Sequence, residues 1–378
     1  MVGATTHRRM QLDDLSIFYR EAGPPEAPVL LLPHGYPCSS YQFRQLMPAL
    51  ADRWRTIAFD WPGFGYSGTP DLTAFGYDFD AYADVLAKLV DAFGLKRYAL
   101  WLHDYGSQIG LRHAISHPDR VTALIIQNGD IYEDVLGPKY AVIKAWWADK
   151  TPDKHRPLEA AVSEDGFRAE FIGEVADDVA MRVPPDLWKL HWPLMDTPVR
   201  RQVAVDLMEK LEANLAWFPR YQAYLRAYHP PTLIVWGPED GYMPAASARA
   251  YHRDLPDAEL LFDRSRGPLA AGDTFRRCPA TDSRVFGTCP RLIVAQGWGS
   301  QCPCPSVRRS LSCRLSRQSR AFGAVAHAAR LPTPMSHTFA PRVFHPSRRP
   351  RSASNCCART AARRRGSRPS PIGPICKR

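Results

Sequence analysis

The chain has 378 residues and a formal net charge of +11, which is unevenly distributed. Residues 1–263 carry 26 basic and 36 acidic side chains, whereas residues 264–378 carry 23 basic and 2 acidic ones. The basic average therefore describes only the second part, and it does not mark the whole protein as a binder of nucleic acid. The first part is acidic, rich in apolar residues and long enough for one large domain with a substantial core.

Cysteine use and the length of the apolar runs predict the cellular setting. Cys38 is the only cysteine of residues 1–263, which is typical of a reducing compartment and excludes a disulfide framework in this part. The first residues lack the apolar stretch of a signal peptide, and no apolar run has the length of a membrane span. We expect a cytoplasmic protein with no membrane partner, no specific nucleic-acid partner, no metal and no organic cofactor.

Short apolar runs alternate with helical patterns along the first part of the chain. This alternation predicts an α/β fold with a mostly parallel central sheet and helices on both faces. Helices are expected between most of the strands. The predicted strands are residues 15–19, 29–32, 56–59, 98–101, 121–126, 232–236 and 259–262.

A long helical stretch interrupts this alternation. Residues 131–229 separate two strand–helix blocks, and a segment of about a hundred residues is too long for a loop. We therefore predict an inserted helical cap between two core segments, residues 1–130 and 230–263. Ligands of parallel sheets bind beyond the carboxyl ends of the strands, where such a cap would exclude water.

The segment LHDYGS, residues 102–107, is the sharpest chemical signal in the chain. It joins a predicted buried strand to a predicted helix, with Asp104 at the apex and a glycine, Gly106, two places later. In a nucleophile elbow this spacing lets the helix and strand approach closely and holds the apex side chain above the sheet. A carboxylate that attacks carbon forms an ester, which favours epoxide opening or carbon–halogen displacement. Alternatively, Asp104 only caps the helix.

Five segments occur in an order and spacing that resemble the α/β-hydrolase superfamily, and most closely its epoxide hydrolase and haloalkane dehalogenase branch. The resemblance covers residues 10–263 and includes an insertion where that family has its cap. Each motif alone is a weak signal, but the five together are specific. They are PHGYP at 33–37, DWPGFGYS at 60–67, the Asp104 segment, HPDRV at 117–121 and WGPED at 236–240.

The resemblance implies roles for individual residues. Asp104 is the expected nucleophile, and the backbone N–H groups of Tyr36 and Tyr105 are the expected donors to the oxyanion formed when the ester is hydrolysed. The carboxylate that orients the catalytic base is expected at Asp240. Asp130 is the alternative, because part of the dehalogenase branch places its acid there.

The histidine base is not found where the family places it. It should follow the last strand within a few residues, but the chain reads RSRGP after Asp263, and the next histidine is His327. His34 is expected to order its own loop. His103 is a poor candidate, because adjacent residues of a strand point to opposite faces of the sheet.

Residues 264–378 change composition at the place where the histidine is missing. Proline, serine, arginine and cysteine dominate them, which predicts disorder. Codons for residues 264–267, read from the second base, can encode Gly-His-Ala, and residues 282–287 can encode IREFL in the same shifted frame. We hypothesise that this tail is a frameshifted translation of a GC-rich gene.

The choice between epoxide and halide depends on the groups that would assist the leaving atom. Haloalkane dehalogenases usually carry Asn and Trp at the positions of Tyr36 and Tyr105, whereas epoxide hydrolases use cap tyrosines to protonate the ring oxygen. We therefore favour epoxide hydrolysis of a small apolar substrate. A dehalogenase and a non-catalytic scaffold, with a binding role or from a decayed gene, remain the alternatives. The candidate pocket residues of the insertion are Tyr132, Tyr140, Trp217 and Tyr221.

Resequencing the locus tests the frameshift hypothesis. We expect a single-base insertion or deletion near the codon of Asp263, followed in the corrected frame by codons for Gly-His. Reading genomic DNA and transcript independently separates a sequencing error from a real mutation. An uninterrupted frame through that codon in both would contradict the hypothesis.

Overall fold

The computed structural model describes residues 4–262. Within this range the chain forms an eight-stranded sheet with the strand order β1-β2-β4-β3-β5-β6-β7-β8. The first two strands are antiparallel to their neighbours, and the other six run parallel to one another. The strands are β1 (Thr6–Leu12), β2 (Leu15–Ala22), β3 (Val29–Pro33), β4 (Arg55–Phe59), β5 (Tyr98–His103), β6 (Val121–Gln127), β7 (Thr232–Trp236) and β8 (Glu259–Phe262).

Helices connect the parallel strands, and seven of those in the described range follow one another between β6 and β7. None of the helices in residues 4–262 is both long and apolar enough to cross a membrane. The core helices before the insertion are α1 (Leu46–Leu50), α2 (Phe79–Ala92) and α3 (Tyr105–Ser116). The inserted helices are α4 (Tyr140–Ala148), α5 (Pro152–Ala161), α6 (Glu164–Ile172), α7 (Asp177–Ala180), α8 (Asp186–Met195), α9 (Pro198–Leu215) and α10 (Phe218–Tyr228), and α11 (Ala245–Ala250) follows β7.

Alternate residues of the parallel strands pack into two separate apolar clusters. On β5, Leu100 and Leu102 belong to the larger cluster together with buried residues of α2 and α3. Ala99 and Trp101 belong to the smaller cluster together with buried residues of α1. Because successive side chains of a strand point to opposite faces, the two clusters lie on the two sides of the sheet. The predicted α/β architecture, with helices on both faces, is confirmed.

The largest difference from the sequence prediction is at the edge of the sheet. Strand β1 was not predicted, and β2 continues to Ala22, beyond its predicted end at residue 19. Most side chains of β1 are exposed, and the strand lies at the edge of the sheet, where it pairs on one side only. An exposed edge strand has no apolar alternation to reveal it. Residues 264–378, including the proposed frameshift product, lie outside the described range.

A strained turn joins β5 to α3. Asp104 has a φ of +47°, in the region that residues other than glycine seldom adopt. Gly106 lies so close to the end of β3 that a Cβ atom there would be 2.4 Å from the carbonyl oxygen of Pro33. A Cβ atom on Gly35 would be 2.5 Å from Oδ2 of Asp104. Glycine at these two positions therefore allows the loop after β3 to meet the Asp104 turn.

Replacing Gly106 tests this close approach. We expect Gly106→Ala to lower the free energy of unfolding by about 1–3 kcal/mol, because the atoms that the new methyl group meets belong to the backbone and cannot rotate away. Gly68→Ala is the matched control, since its Cβ atom would meet Ser16 at ordinary contact distances of 3.5 Å and more. The control should stay within about 0.5 kcal/mol of the parent in urea unfolding. Equal losses in the two variants would show that the contact at Gly106 is unimportant.

Candidate active site

A cavity lies at the carboxyl ends of the parallel strands, where Asp104 is exposed to it. Its walls come from the loops after β3, β5 and β7 and from the inserted helices α4, α6 and α9. Tyr36, Tyr105, Tyr140 and Tyr242 contribute rings, and Ile143, Met208, Leu211 and Met243 contribute apolar surface. The remaining lining residues are acidic, namely Asp104, Glu170, Glu174 and Asp240.

Backbone donors hold the Asp104 carboxyl group. The N–H of Tyr36 donates to Oδ2 at 2.6 Å, and the N–H of Tyr105 also stabilises the charged form of this carboxyl group. The structure thus brings the two N–H groups nominated from the sequence to one side chain. Both donors are fixed by the backbone, so they need no reorganisation to receive negative charge.

Burial raises the pKa of Asp104 to about 8. The hydrogen bonds from Tyr105 and Tyr36 oppose this shift because they stabilise the carboxylate, whereas the nearby charges of Asp130 and Asp240 add to it. The sequence suggested a carboxylate nucleophile but gave no indication of this shift. A large part of the Asp104 population therefore holds a proton at neutral pH.

Asp240 is held by three hydrogen bonds in the loop after β7. Its Oδ1 accepts the N–H groups of Tyr242 and Met243 at 2.9 and 3.0 Å, and its Oδ2 accepts the side-chain amide of Asn128 at 2.8 Å. Burial raises the pKa of Asp240 to about 7. The side chain lines the same cavity as Asp104.

Asp130, the alternative acid, is also buried close to this region. Its Oδ1 accepts a hydrogen bond from Gln108 at 3.2 Å, and its Oδ2 accepts one from the Tyr140 hydroxyl at 2.6 Å. Burial raises its pKa to about 6. Its charge acts on Asp104, although it is not among the residues lining the cavity.

Asn128 connects the Asp104 turn to the loop that carries Asp240, and the sequence analysis missed it. Its carbonyl oxygen accepts the N–H of Asp104 at 2.9 Å, while its side chain bonds Asp240 and exchanges two hydrogen bonds with Gly237 at 2.9 and 3.0 Å. Asn128 has a φ of +40°. Asparagine followed by glycine after a strand is the signal that could have identified this position, because asparagine tolerates the left-handed region.

The two histidines near the motifs have structural partners. Nε2 of His34 accepts the N–H of Trp61 at 3.2 Å, and the His34 carbonyl accepts the Trp61 indole N–H at 2.9 Å. Nδ1 of His103 lies 3.0 Å from the carbonyl oxygen of Gln127. Burial lowers the pKa of both imidazoles to about 4. None of the cavity-lining residues within 4–262 is a histidine, and the expected position of the base lies outside that range.

Three residues considered for the pocket make their contacts elsewhere. The Tyr132 hydroxyl donates to Asp254 at 2.6 Å, and the Tyr221 hydroxyl accepts from the Arg112 guanidinium at 2.5 Å. The Arg112 guanidinium also lies 4.4 Å from the centre of the Trp217 ring. Tyr132, Tyr221 and Trp217 do not line the cavity. Of the tyrosines and tryptophan proposed from the insertion, the structure brings only Tyr140 to the site.

A charged cluster in the cavity wall was also missed. The Lys139 ammonium lies 3.5 Å from Glu170, 3.3 Å from Glu174 and 4.9 Å from the centre of the Tyr242 ring. Glu174 accepts the N–H of Gly241, next to Asp240, at 2.9 Å, and the charge of Glu170 acts on the Tyr242 hydroxyl. Single glutamates on a helix usually indicate a solvated face, so the sequence gave no signal for this cluster.

Comparison with known proteins establishes the family. Residues 28–267 match the family model described as alpha/beta hydrolase fold, and the chain belongs to this family. It is a hydrolase whose relatives include enzymes named for two different substrates.

Haloalkane dehalogenase 2 of Mycobacterium tuberculosis is 40% identical over 252 residues, which are 62% of this chain and 79% of that protein. Epoxide hydrolase A of the same organism is 36% identical over 125 residues, 32% of this chain and 38% of that protein. The crystal structure of a putative ancestral haloalkane dehalogenase superposes with a TM-score of 0.57 at 22% identity, covering 71% of this chain and 93% of that one.

Removing the Asp104 charge should stabilise the fold at neutral and alkaline pH. The pKa of Asp104 is about 8 in the folded chain and near its ordinary value of about 4 in the unfolded chain. Between pH ~4 and pH ~8 the folded chain therefore binds more protons than the unfolded chain. The free energy of unfolding falls as pH rises through this range. Asp104→Asn eliminates this loss. We expect a gain on the order of a few kcal/mol above pH ~8 that disappears near pH ~4.

Chemical denaturation across this pH range measures the effect. Asp14→Asn, on the exposed turn between β1 and β2, is the control for removal of one negative charge. A pH-independent difference between Asp104→Asn and the parent would contradict burial as the cause.

Proposed function

We propose that the protein is an epoxide hydrolase-like enzyme in which Asp104 forms a covalent ester with the substrate. One observation carries the proposal. The Asp104 carboxyl group accepts the Tyr36 N–H, is further stabilised by the Tyr105 N–H and lies at a cavity lined by Tyr36, whose buried hydroxyl has no hydrogen-bond partner among residues 4–262.

The two oxygens of the Asp104 carboxylate have different roles in the proposed reaction. Oδ2 is bound to the Tyr36 N–H, so Oδ1 attacks a ring carbon. A new C–O bond forms, the C–O bond of the oxirane breaks, and its electron pair stays on the ring oxygen. Oδ2 becomes the carbonyl oxygen of the ester and already lies at the donors that stabilise its negative charge when water attacks.

Tyr36 supplies the proton that ring opening requires. An alkoxide leaves poorly unless an acid protonates it. Burial, together with the nearby charge of Glu170, raises the pKa of Tyr36 well above its ordinary value, so the phenol keeps its proton until the alkoxide forms. The Tyr140 hydroxyl already donates to Asp130, whereas the Tyr36 hydroxyl has no hydrogen-bond partner among residues 4–262.

Hydrolysis of the ester is the second half of the proposed reaction. Water must lose a proton as it attacks the ester carbonyl, and a histidine oriented by a carboxylate is the expected base. We assign the orienting role to Asp240 because Asn128 ties it to the Asp104 turn. The inserted segment 131–229 acts as the cap, since α4, α6 and α9 supply much of the cavity wall.

Haloalkane hydrolysis is the second candidate, and the identity with haloalkane dehalogenase 2 favours it. The charge of the cavity opposes it. Four carboxyl residues and no basic residue line the described cavity, so no lining side chain offers a positive charge to a departing halide. In epoxide opening the leaving oxygen stays bonded to the substrate and takes a proton from Tyr36, so no separate anion has to be bound and released.

Incubation with a terminal alkyl epoxide tests the proposal. We expect either diol formation or a mass increase equal to one epoxide on the peptide containing Asp104. Asp104→Asn should show neither. Tyr36→Phe should slow modification by a factor of about 10²–10⁴ because it removes the acid, and the exposed Tyr228 provides the control variant Tyr228→Phe, which should react like the parent.

The other candidate functions predict different results in the same assay. Release of halide from the matched alkyl bromide, with no reaction of the epoxide, would indicate a dehalogenase. No reaction of Asp104 with either compound would indicate a non-catalytic scaffold.

A further inference from the structure

The cavity combines acidic groups with aromatic rings. Four carboxyl side chains and four tyrosine rings line it, and no lining residue in the described range is basic. The ring centres of Tyr36 and Tyr105 are 5.7 Å apart, and those of Tyr140 and Tyr242 are 5.5 Å apart. Rings attract cations through their faces, and desolvated contacts of this kind contribute about 2 kcal/mol or more.

The wall of this cavity already stabilises one cation. The Lys139 ammonium lies over the Tyr242 ring and within 3.5 Å of Glu170 and Glu174. Its single positive charge can balance only one of these two glutamates. Lys139 is outside the lining, so the lining itself supplies carboxyl groups and no positive charge.

A second observation indicates that the cavity binds a ligand. The Tyr36 hydroxyl is buried without a hydrogen-bond partner among residues 4–262, and an unsatisfied buried polar group is costly unless a ligand or water completes it. The charge of Glu170 acts on this hydroxyl. Tyr36, Glu170 and Asp104 therefore lie at the same cavity.

We propose that the site takes an epoxide bearing an ammonium group, which Glu170 and the neighbouring tyrosine rings bind while Asp104 opens the oxirane. The proposal rests on the epoxide hydrolase-like function and changes its substrate class from simply apolar to cationic. Ile143, Met208, Leu211 and Met243 would contact the carbon chain between the two ends. A bound cation also favours the ionised form of Asp104, which is the form that attacks.

A pair of matched probes tests this inference. One is the epoxide that carries a trimethylammonium group on the carbon next to the ring, and the other is its uncharged tert-butyl counterpart of almost equal shape. The readout is the rate of Asp104 alkylation, followed by mass spectrometry of the full chain and corrected for the reaction of each probe with a free carboxylate. Because it follows the first half of the reaction, this readout does not require the ester to be hydrolysed.

We expect the cationic probe to react at least about tenfold faster, since about 1.4 kcal/mol of differential binding corresponds to a factor of ten. Glu170→Gln keeps the shape of the side chain and should reduce the cationic-to-neutral rate ratio at least about fivefold. Glu164→Gln is the control on the same helix, because Glu164 does not line the cavity and pairs with Lys189. Its ratio should equal that of the parent, and thermal unfolding verifies that both variants fold.

The outcomes separate this inference from the proposed function. Equal or faster reaction of the neutral probe with Asp104 would overturn the cationic substrate and leave epoxide opening intact. A ratio that Glu170→Gln does not lower would overturn the role of Glu170. Failure of both probes to modify Asp104 would overturn the proposed function, and the inference with it.

Discussion

The contact between the loop after β3 and the turn after β5 is the constraint on which the site depends. Gly35 and Gly106 allow it, because a side chain at either position would collide with the other segment. The contact lets N–H groups from two separate loops meet at one carboxyl group. Strain at Asp104 is the cost of this geometry, and the packed strands on both sides stabilise the turn.

The sequence predicted the repeated parallel strands and the motif whose residues are consecutive in the chain. The parallel strands were found because burial on both faces leaves continuous apolar runs, whereas the exposed strand β1 left no such pattern. The Asp104 turn was visible because strand, apex and glycine are consecutive. Asn128 and Glu170 were not, because their importance comes from partners more than sixty residues away, Asp240 and Tyr36 respectively.

The aromatic residues of the insertion show that the sequence also nominates residues that do not line the cavity. Tyr140 and Tyr221 are equally plausible from sequence, yet only Tyr140 lines the cavity. Tyr221 instead serves the buried guanidinium of Arg112, which requires acceptors wherever it lies. Composition predicted that the insertion would be rich in candidate donors. Only the packing of α4 against the loop after β7 decides which of them lines the cavity.

The carboxyl groups around Asp104 affect what each of the two steps of the proposed reaction requires. Forming the ester neutralises Asp104 beside Asp130 and Asp240, but the negative charge is not lost. It passes to Tyr36, which gives its proton to the ring oxygen and lines the same cavity. Capture of the substrate therefore needs an acid, whereas release of the product needs a base.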